Sequence, residues 1–348
     1  MRIAITADPY IPVPPVEYGG IERIVDFLVR GLCARGHKVT LFAHPASTAS
    51  GELIGYGIPP HFGAVPRLGE LLQVGTGLAR RAGEWDLIHS FGRLAALLPV
   101  LPLRHIPKVQ SYQRDGIPWP SVRRAVRLAR NSVHFTACST SVYAKGLATN
   151  GIGNWKTVFN GVDTSRYRPV AAVPPDAPLC FLGRLERIKG VHHAIEIARR
   201  CGRKLLLAGN RMTSGEGAEY FEAEIKPHID GRAVCYVGAV NDREKNELLG
   251  QCCALLMPIE WNEPFGIVMI EAMACGTPVI AFPRGSIPEV VRDGVNGLVV
   301  DSVPEAVAAV GRIFQLDRAT VRADCERRFS SEVIVSAYER IYLQAAAR

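Results

Sequence analysis

The sequence predicts an α/β protein of two domains, each a parallel sheet with helices wound on both faces. Strand patterns alternate with helix patterns along the whole chain, as parallel strands require, because a crossover helix must return the chain between them. The length of 348 residues fits two domains of about 100–200 residues each. With 48% hydrophobic and 21% charged residues, the composition is that of a globular protein and not of a disordered chain.

The first predicted domain opens with a strand over residues 2–7. Gly19 and Gly20 precede a helix whose apolar residues recur at spacings of three and four, and Gly36 ends it. The next strand covers residues 38–43 and completes one strand–helix–strand unit. Four more strands are predicted, over residues 86–89, 108–111, 134–137 and 156–159.

A proline-rich stretch over residues 169–178, after a turn at residues 160–163, predicts the linker to the second domain. We therefore assign residues 1–165 to the first domain and residues 166–328 to the second. The second domain has predicted helices over residues 191–200 and 242–251, and its predicted strands cover residues 179–183, 204–208, 233–237, 254–257, 278–281 and 297–300.

The net positive charge lies in the first half of the chain. Residues 1–165 hold 18 Lys and Arg against 10 Asp and Glu, whereas residues 166–348 hold 23 of each. This excess fits an anionic acceptor, an anionic membrane surface or an ordinary basic surface. A basic amphipathic helix could lie on anionic lipid or simply face solvent, and it carries Arg123, Arg124, Arg127 and Arg130. The excess is diffuse and no nucleic-acid motif is present, so nucleic-acid binding is not expected.

The sequence predicts a cytoplasmic protein, with peripheral contact at the inner membrane surface as an open alternative. The most apolar stretch, residues 94–103, is about half the length of a membrane span, and the first strand is too short for a secretory signal. The nine cysteines form no CxxC pair. We expect buried reduced thiols, and neither disulfides nor a metal site.

Two of the strand-to-helix turns carry groups suited to phosphate, which open α/β sheets bind at the carboxyl ends of their strands. Gly19 and Gly20 let a ligand approach free amides at a helix start, although a flexible loop has the same composition. Arg184 and Lys189, five residues apart, supply two cations for a diphosphate. Solvated surface charge is the alternative for this second turn.

The third and most informative turn leads into a helix that opens near Gly266. The amides of Gly266, Ile267 and Val268 form an anion site at the positive end of the helix dipole. Glu263 lies just outside this end, and Glu271 lies roughly 7.5 Å inside it along the axis. One carboxylate can hold hydroxyls of a sugar and the other those of a ribose. A charge in this apolar helix needs such a function or a cationic partner.

The segment from Glu263 through Val279 resembles the donor-site signature of family 4 glycosyltransferases, with its two glutamates eight residues apart. Gly19-Gly20-Ile21-Glu22, the turn at residues 160–163 and the segment 183–190 match in the same order, as do Glu289 and the turn at 293–297. The resemblance covers residues 2 to about 340. It implies a GT-B fold: two Rossmann-like domains facing a central cleft, with a final helix at about residues 329–348 crossing back to the first domain.

The resemblance also implies metal-independent transfer of a sugar from a nucleoside diphosphate with retention at the anomeric carbon, and no cofactor. Glu263 would hold sugar hydroxyls and stabilise the oxocarbenium-like state, and Glu271 would hold the ribose. Turns at Gly209 and Gly238 would meet the base, and we expect a uridine diphosphate carrier. The donor site implied by the resemblance comprises Gly19, Gly20, Arg184, Lys189, Gly209, Gly238, Phe265, Gly266, Ile267, Val268 and Glu271.

The acceptor side departs from the family pattern. Many members carry a His after the strand at 108–111, where this chain has Tyr112, so Tyr112 and the strand-end His89 are the candidates to contact the sugar. The acceptor could be a glycan, a lipid-linked sugar or a small metabolite. The absence of G-x-G-x-x-G and of a P-loop argues against a dehydrogenase and a kinase. A sugar-nucleotide epimerase and a non-catalytic scaffold of the same fold stay open.

Overall fold

The computed structural model describes residues 1–15, 19–56 and 68–347, and the chain divides into two compact units. Unit 1 is Met1–Gly161 with Ser331–Arg348, and unit 2 is Val162–Ser330. The predicted linker at residues 169–178 is wrong, because this stretch is packed into unit 2. There the amide of Val170 donates to the carbonyl of Cys275, and Ala177 lies in the hydrophobic core.

Unit 1 contains a seven-stranded parallel sheet of order β3-β2-β1-β4-β5-β6-β7. Its strands are β1 (Arg2–Thr6), β2 (Lys38–Ala43), β3 (Glu52–Gly55), β4 (Leu87–Ser90), β5 (Lys108–Tyr112), β6 (Val133–Ala137) and β7 (Trp155–Thr157). Its helices, numbered in chain order, are α1 (Gly20–Ala34), α2 (Leu68–Arg80), α3 (Trp119–Ala129), α4 (Ala144–Asn150) and α12 (Ser331–Ala346).

The strands at the centre of this sheet are buried on both faces, which is why they appear in the sequence as continuous apolar runs. The sequence prediction missed β3, a short and half-exposed edge strand without such a run. Strands β2 and β3 lie on one side of β1, and β4 to β7 lie on the other side. The order of the strands in the sheet therefore changes direction between β1 and β4, which pair directly with each other. Ligands of open α/β sheets bind at the carboxyl ends of the strands at such a switch point.

The last helix, α12, packs on the first helix, α1, as expected for a chain that returns to its first domain. The two helices approach closely at Gly31, where a Cβ atom would lie 2.7 Å from Val335. Arg35 at the end of α1 pairs with both Glu332 and Glu339 of α12. Tight packing and ion pairs therefore hold α12 in unit 1.

Unit 2 contains a six-stranded parallel sheet of order β10-β9-β8-β11-β12-β13. The strands are β8 (Leu179–Leu182), β9 (Leu205–Ala208), β10 (Val234–Gly238), β11 (Ala254–Met257), β12 (Val279–Ala281) and β13 (Gly297–Val299). The helices are α5 (Val191–Arg200), α6 (Gly215–Tyr220), α7 (Asp242–Gln251), α8 (Ile267–Ala274), α9 (Ile287–Val290), α10 (Val303–Arg312) and α11 (Arg318–Phe329). The predicted α/β class with two parallel sheets is confirmed.

Three expectations drawn from composition concern the basic helix, membrane spans and the cysteines. The predicted basic helix is α3, which buries Val122, Ala125 and Ala129 and exposes Arg124 and Arg127. Contact of this helix with a membrane stays a prediction. In the described part of the chain, no helix combines the length and apolarity that crossing a bilayer requires. All nine cysteines are free, and six of them are buried.

We predict that Gly31→Ala lowers the free energy of unfolding by about 1–3 kcal/mol, because its methyl group would collide with the stiff Val335 side chain. The matched control is Gly77→Ala in α2 of the same unit, where the added carbon would meet Phe42 at an ordinary 3.5 Å. Denaturant unfolding of both variants measures the difference. Equal stability of the two variants would contradict the close approach of α1 and α12.

Candidate functional site

Two of the strand-to-helix turns singled out in the sequence meet at the carboxyl edge of the unit 2 sheet. Lys189, beyond β8, places its Nζ 2.6 Å from Oε2 of Glu263, beyond β11, and the two side chains are 16% and 10% exposed. The indole Nε1 of Trp261 donates to the same Oε2 over 2.9 Å, and the Lys189 ammonium lies 4.4 Å from the Trp261 ring centre. The predicted phosphate cation and the predicted catalytic carboxylate therefore form one cluster, which we call the Lys189–Glu263–Trp261 cluster.

Close backbone contacts bring these turns together. A Cβ atom on Gly190 would lie 1.9 Å from the carbonyl oxygen of Pro258, and the amide of Glu260 donates to the carbonyl of Ile188 over 2.9 Å. Only a residue without a side chain fits at position 190, where φ is also positive at 72°. The turn that carries Lys189 is thus bound along its backbone to the loop that carries Glu263.

A second glycine fixes the backbone of Glu263 itself. The amide of Ser286 donates to the Glu263 carbonyl over 2.8 Å, and a Cβ atom on Gly285 would lie 2.3 Å from that carbonyl oxygen. Sequence reasoning missed Gly285 and Ser286, since nothing in the sequence shows that the turn after β12 reaches this loop. It also gave no function to Trp261, whose indole two residues before Glu263 was the available signal.

Helix α8 begins where the sequence predicted. Gly266 precedes it in the left-handed conformation, with φ 74° and ψ 66°, and no side chain caps the helix. The helix start is half-buried at Gly266, Ile267 and Val268. No capping side chain accepts a hydrogen bond from the backbone amides at this end of the helix. Phe265 is buried and packs edge-on against Phe329 at 5.9 Å, so its side chain belongs to the core of unit 2.

Glu271 has the cationic partner that its burial requires. Its Oε1 accepts a hydrogen bond from the hydroxyl of Tyr167 over 2.8 Å and an ion-pair contact from Lys245 of α7. The side chain is about as buried as the core around it. The alternative that the sequence left open, a glutamate paired with a neighbouring cation, is therefore present in the structure. Binding of ribose by Glu271 stays a prediction.

The remaining predicted donor residues of unit 2 lie at the ends of β8, β9 and β10. A Cβ atom on Gly209 would lie 1.9 Å from the Gly183 carbonyl oxygen, and the Gly209 amide donates to the Gly238 carbonyl over 2.8 Å. The turns at Gly209 and Gly238 are thus brought together. Arg184, which follows Gly183, pairs with Glu186 over 2.7 Å and is half-exposed.

Unit 1 gathers polar groups at its switch point. Gly20 begins α1, and a Cβ atom on Gly19 would lie 2.9 Å from a carboxylate oxygen of Glu22. Burial raises the pKa of Glu22. Residues 16–18, directly before this turn, lie outside the described residues.

Asp8, just after β1, is a further polar group at this edge that sequence reasoning missed. Its Oδ1 would lie 3.1 Å from a Cβ atom on Gly92, just after β4. Burial raises the pKa of Asp8, while the positive charges of Arg114 and Arg93 oppose the shift. Within the described ranges the buried Oδ1 has no hydrogen-bond partner. The available signal was position in the sequence: Asp8 follows β1, Arg93 follows β4 and Arg114 follows β5, each within three residues of the strand end.

Tyr112 and His89 differ sharply in their surroundings. Tyr112 ends β5 and packs against Phe135 and Trp155, with ring centres 6.4 and 5.5 Å away. Burial raises the pKa of Tyr112, and its hydroxyl has no hydrogen-bond partner among the residues described. The hydroxyl oxygen is itself buried, and contact of Tyr112 with a sugar stays a prediction.

The predicted catalytic position of His89 does not fit the structure. The ring is fully buried; Nδ1 lies 2.5 Å from the Tyr342 hydroxyl of α12, and Nε2 lies 2.7 Å from Oγ of Ser111. Burial lowers the pKa of His89 to about 3, so the ring stays neutral. Both nitrogens are occupied within unit 1, and His89 holds β4, β5 and α12 together.

The sequence matches two models of known families that meet at residue 166. The model described as Glycosyltransferase Family 4 covers residues 18–166, and the model described as Glycosyl transferases group 1 covers residues 166–325. The chain belongs to the family 4 glycosyltransferases. The glycogen synthase of Mycobacterium tuberculosis is 28% identical to this glycosyltransferase. The match covers 99% of the chain described here and 95% of the glycogen synthase.

Solved structures share the fold of this glycosyltransferase over its whole length. Sucrose-phosphate synthase from Thermosynechococcus elongatus is 22% identical, with a TM-score of 0.80 over 99% of each chain. Anabaena HepE, solved in complex with UDP-glucose, is 20% identical, with a TM-score of 0.73 over 99% of this chain and 100% of that one. The GT-B architecture implied by the sequence is thereby confirmed.

We predict that His89 makes the stability of the glycosyltransferase depend on pH. The pKa of a histidine is about 6.5 in the unfolded chain, whereas burial lowers the pKa of His89 to about 3 in the folded protein. The unfolded state therefore binds the proton first, so the free energy of unfolding is highest above about pH 6.5 and falls as the pH drops toward about 3. At pH 4.5 the loss from this group reaches about 2–3 kcal/mol.

Denaturant midpoints at pH 7.5 and 4.5 measure this effect. His89→Gln should lose less stability between the two pH values than the wild type does, whereas His105→Gln, at an exposed histidine of the same unit, should behave as the wild type. An identical loss in His89→Gln would show that the buried ring does not contribute.

Proposed function

We propose that this glycosyltransferase moves a sugar from a nucleoside diphosphate, with retention at the anomeric carbon, to an acceptor bound by unit 1. The observation that carries this proposal is the Lys189–Glu263–Trp261 cluster. Its Glu263 lies in the loop that leads to the uncapped start of α8, three residues before Gly266, and its Lys189 comes from the turn after β8. The cation and the free amides suit the donor's diphosphate, and the carboxylate suits the hydroxyls of its sugar.

The chemistry explains why these groups belong together. When the bond between sugar and phosphate breaks, positive charge develops on the sugar ring and negative charge on the leaving diphosphate. Lys189, Arg184 and the amides of residues 266–268 would stabilise the diphosphate, which is the task that a metal ion performs in other enzymes. This donor site therefore needs no metal and no cofactor.

Lys189 can serve the diphosphate without releasing Glu263. Its ammonium carries three hydrogen-bond donors, and one of them is directed to Oε2 of Glu263. The other two are available to phosphate oxygens. Because Trp261 also donates to that oxygen, the carboxylate keeps a fixed orientation, with its other oxygen to accept sugar hydroxyls.

The nucleoside would lie toward the second carboxylate. Both contacts to Glu271 use Oε1, so the ribose hydroxyls would be held by Oε2. The adjoining turns at Gly209 and Gly238 would meet the base through backbone groups. Uridine diphosphate is our choice of carrier, and the structural likeness to HepE, solved with UDP-glucose, supports it.

The acceptor would be a sugar that carries an acidic group, free or within a glycan or glycolipid. At the switch point of unit 1, Asp8 offers an unpartnered carboxylate oxygen to a sugar hydroxyl, in the described part of the chain. Arg93 and Arg114 are exposed, and their charges act on Asp8. The similarity to sucrose-phosphate synthase, named for a phosphorylated product, fits such an acceptor.

We predict that the protein binds UDP in the presence of EDTA, and binds ADP and GDP more weakly. At a ligand concentration of 100 times the dissociation constant, UDP should add about 2.7 kcal/mol of stability. Calorimetric titration and thermal unfolding measure both effects. If none of the three nucleotides binds, a non-catalytic scaffold becomes the better description of this chain.

We predict that Lys189→Met weakens UDP binding roughly 10–100-fold, because one charged hydrogen bond to phosphate is lost. Glu263→Gln should lower kcat by about 100-fold or more while UDP binding changes little. Matched controls in the same unit are Lys204→Met and Glu247→Gln, at exposed positions away from the site. Circular dichroism confirms folding of each variant, and normal turnover by Glu263→Gln would refute the assignment.

A further inference from the structure

Two histidines and a glutamate of unit 2 converge beside the Lys189–Glu263–Trp261 cluster without belonging to it. His192 and His193 open α5, and Glu260 lies in the loop before Trp261. Oε1 of Glu260 is 3.0 Å from Nε2 of His193 and 3.4 Å from Nε2 of His192. Among the described residues, this is the one group of three metal-ligating side chains whose ligand atoms all lie within 4.8 Å of one another.

The geometry is unusual for neighbours on a helix. Successive side chains of an α-helix point about 100° apart, because each turn takes 3.6 residues. Here the two ring centres lie only 4.0 Å apart, and both Nε2 atoms are directed to one carboxylate oxygen. The same convergence gathers two imidazole nitrogens and a carboxylate oxygen around one point, which are ligand types that a divalent transition-metal ion binds.

We propose that His192, His193 and Glu260 form a binding site for a divalent transition-metal ion of the Zn²⁺ type. Zinc binds imidazole nitrogen and carboxylate oxygen at about 2.0–2.2 Å, so tetrahedral ligand atoms lie about 3.3 Å apart. The separations of 3.0 and 3.4 Å to Glu260 bracket that value. Two imidazoles and one carboxylate favour zinc over magnesium or calcium, which prefer oxygen.

The surroundings of the rings support this assignment. Nδ1 of His192 lies 2.8 Å from the hydroxyl of Tyr220, a contact that orients the ring and leaves Nε2 to face the ion. Nδ1 of His193 is buried and has no hydrogen-bond partner within the described ranges, and Nε2 is the nitrogen of this ring that faces Glu260. A water molecule would complete the four positions.

The position of the site indicates what the ion does. His192 and His193 follow the turn that carries Lys189, and Glu260 precedes Glu263 by three residues. An ion bound to all three side chains would join these two segments, which already share the hydrogen bond from Glu260 to Ile188. It would act as a clasp that keeps Lys189 beside Glu263, outside the bond-breaking chemistry itself.

Titration of the full, chelator-treated chain with ZnCl₂ and with CoCl₂ tests the site, by calorimetry and by the visible absorption of Co²⁺. We expect one ion per chain, no binding of Mg²⁺ under the same conditions, and an affinity more than about 100-fold lower in both His193→Asn and Glu260→Gln. His228→Asn, at an exposed histidine of the same unit, is the matched control and should bind as the wild type. Equal affinity in the wild type and in Glu260→Gln would overturn the proposal.

Amide hydrogen exchange tests the clasp separately. Zn²⁺ should slow exchange of the Glu260 amide and of its neighbours through Glu263 at least several-fold in the wild type, and should leave Glu260→Gln unchanged. Zinc binding without slower exchange would refute the clasp. Neither measurement uses a sugar donor, so their outcome does not depend on the proposed function.

Discussion

The ion pair between Lys189 and Glu263 is the contact on which the candidate donor site depends. It joins two side chains that are 74 positions apart in the chain and largely buried. Each charge offsets the desolvation free energy of the other, and removing one partner would leave the second as an uncompensated buried charge. Trp261 fixes the shared oxygen by a further hydrogen bond. Groups held in this way need little rearrangement when charge develops during bond breaking, which is the condition for electrostatic catalysis.

Backbone packing makes this ion pair possible. At Gly190 and Gly285 a side chain would collide with the carbonyl oxygens of Pro258 and Glu263, so these two glycines let three loops lie in direct contact. The proposed zinc clasp joins two of the same loops through side chains. Site geometry in unit 2 therefore rests on close approach of main chains, and the charged side chains take their positions from it.

Unit 1 depends on a helix from the other end of the sequence. Tyr342 of α12 contacts the buried ring of His89, whose second nitrogen contacts Ser111 of β5. Because burial keeps the ring neutral, this polar network can lie inside an apolar core without an unpaired charge. A histidine at the end of a strand, which the sequence presents as a candidate for catalysis, is here a structural link between sheet and helix.

The sequence by itself determined the two parallel sheets, α5, α7 and the start of α8, because these rest on local apolar periodicity and glycine positions. It also supplied Arg184, Lys189, Glu263 and Glu271 as the predicted charged groups of the candidate donor site. Only the tertiary structure decided that Lys189 meets Glu263, that Glu271 meets Lys245 and that the stretch at 169–178 is packed into unit 2. The physical reason is that pairing and burial arise between segments distant in the chain, and no local pattern records which of them will touch.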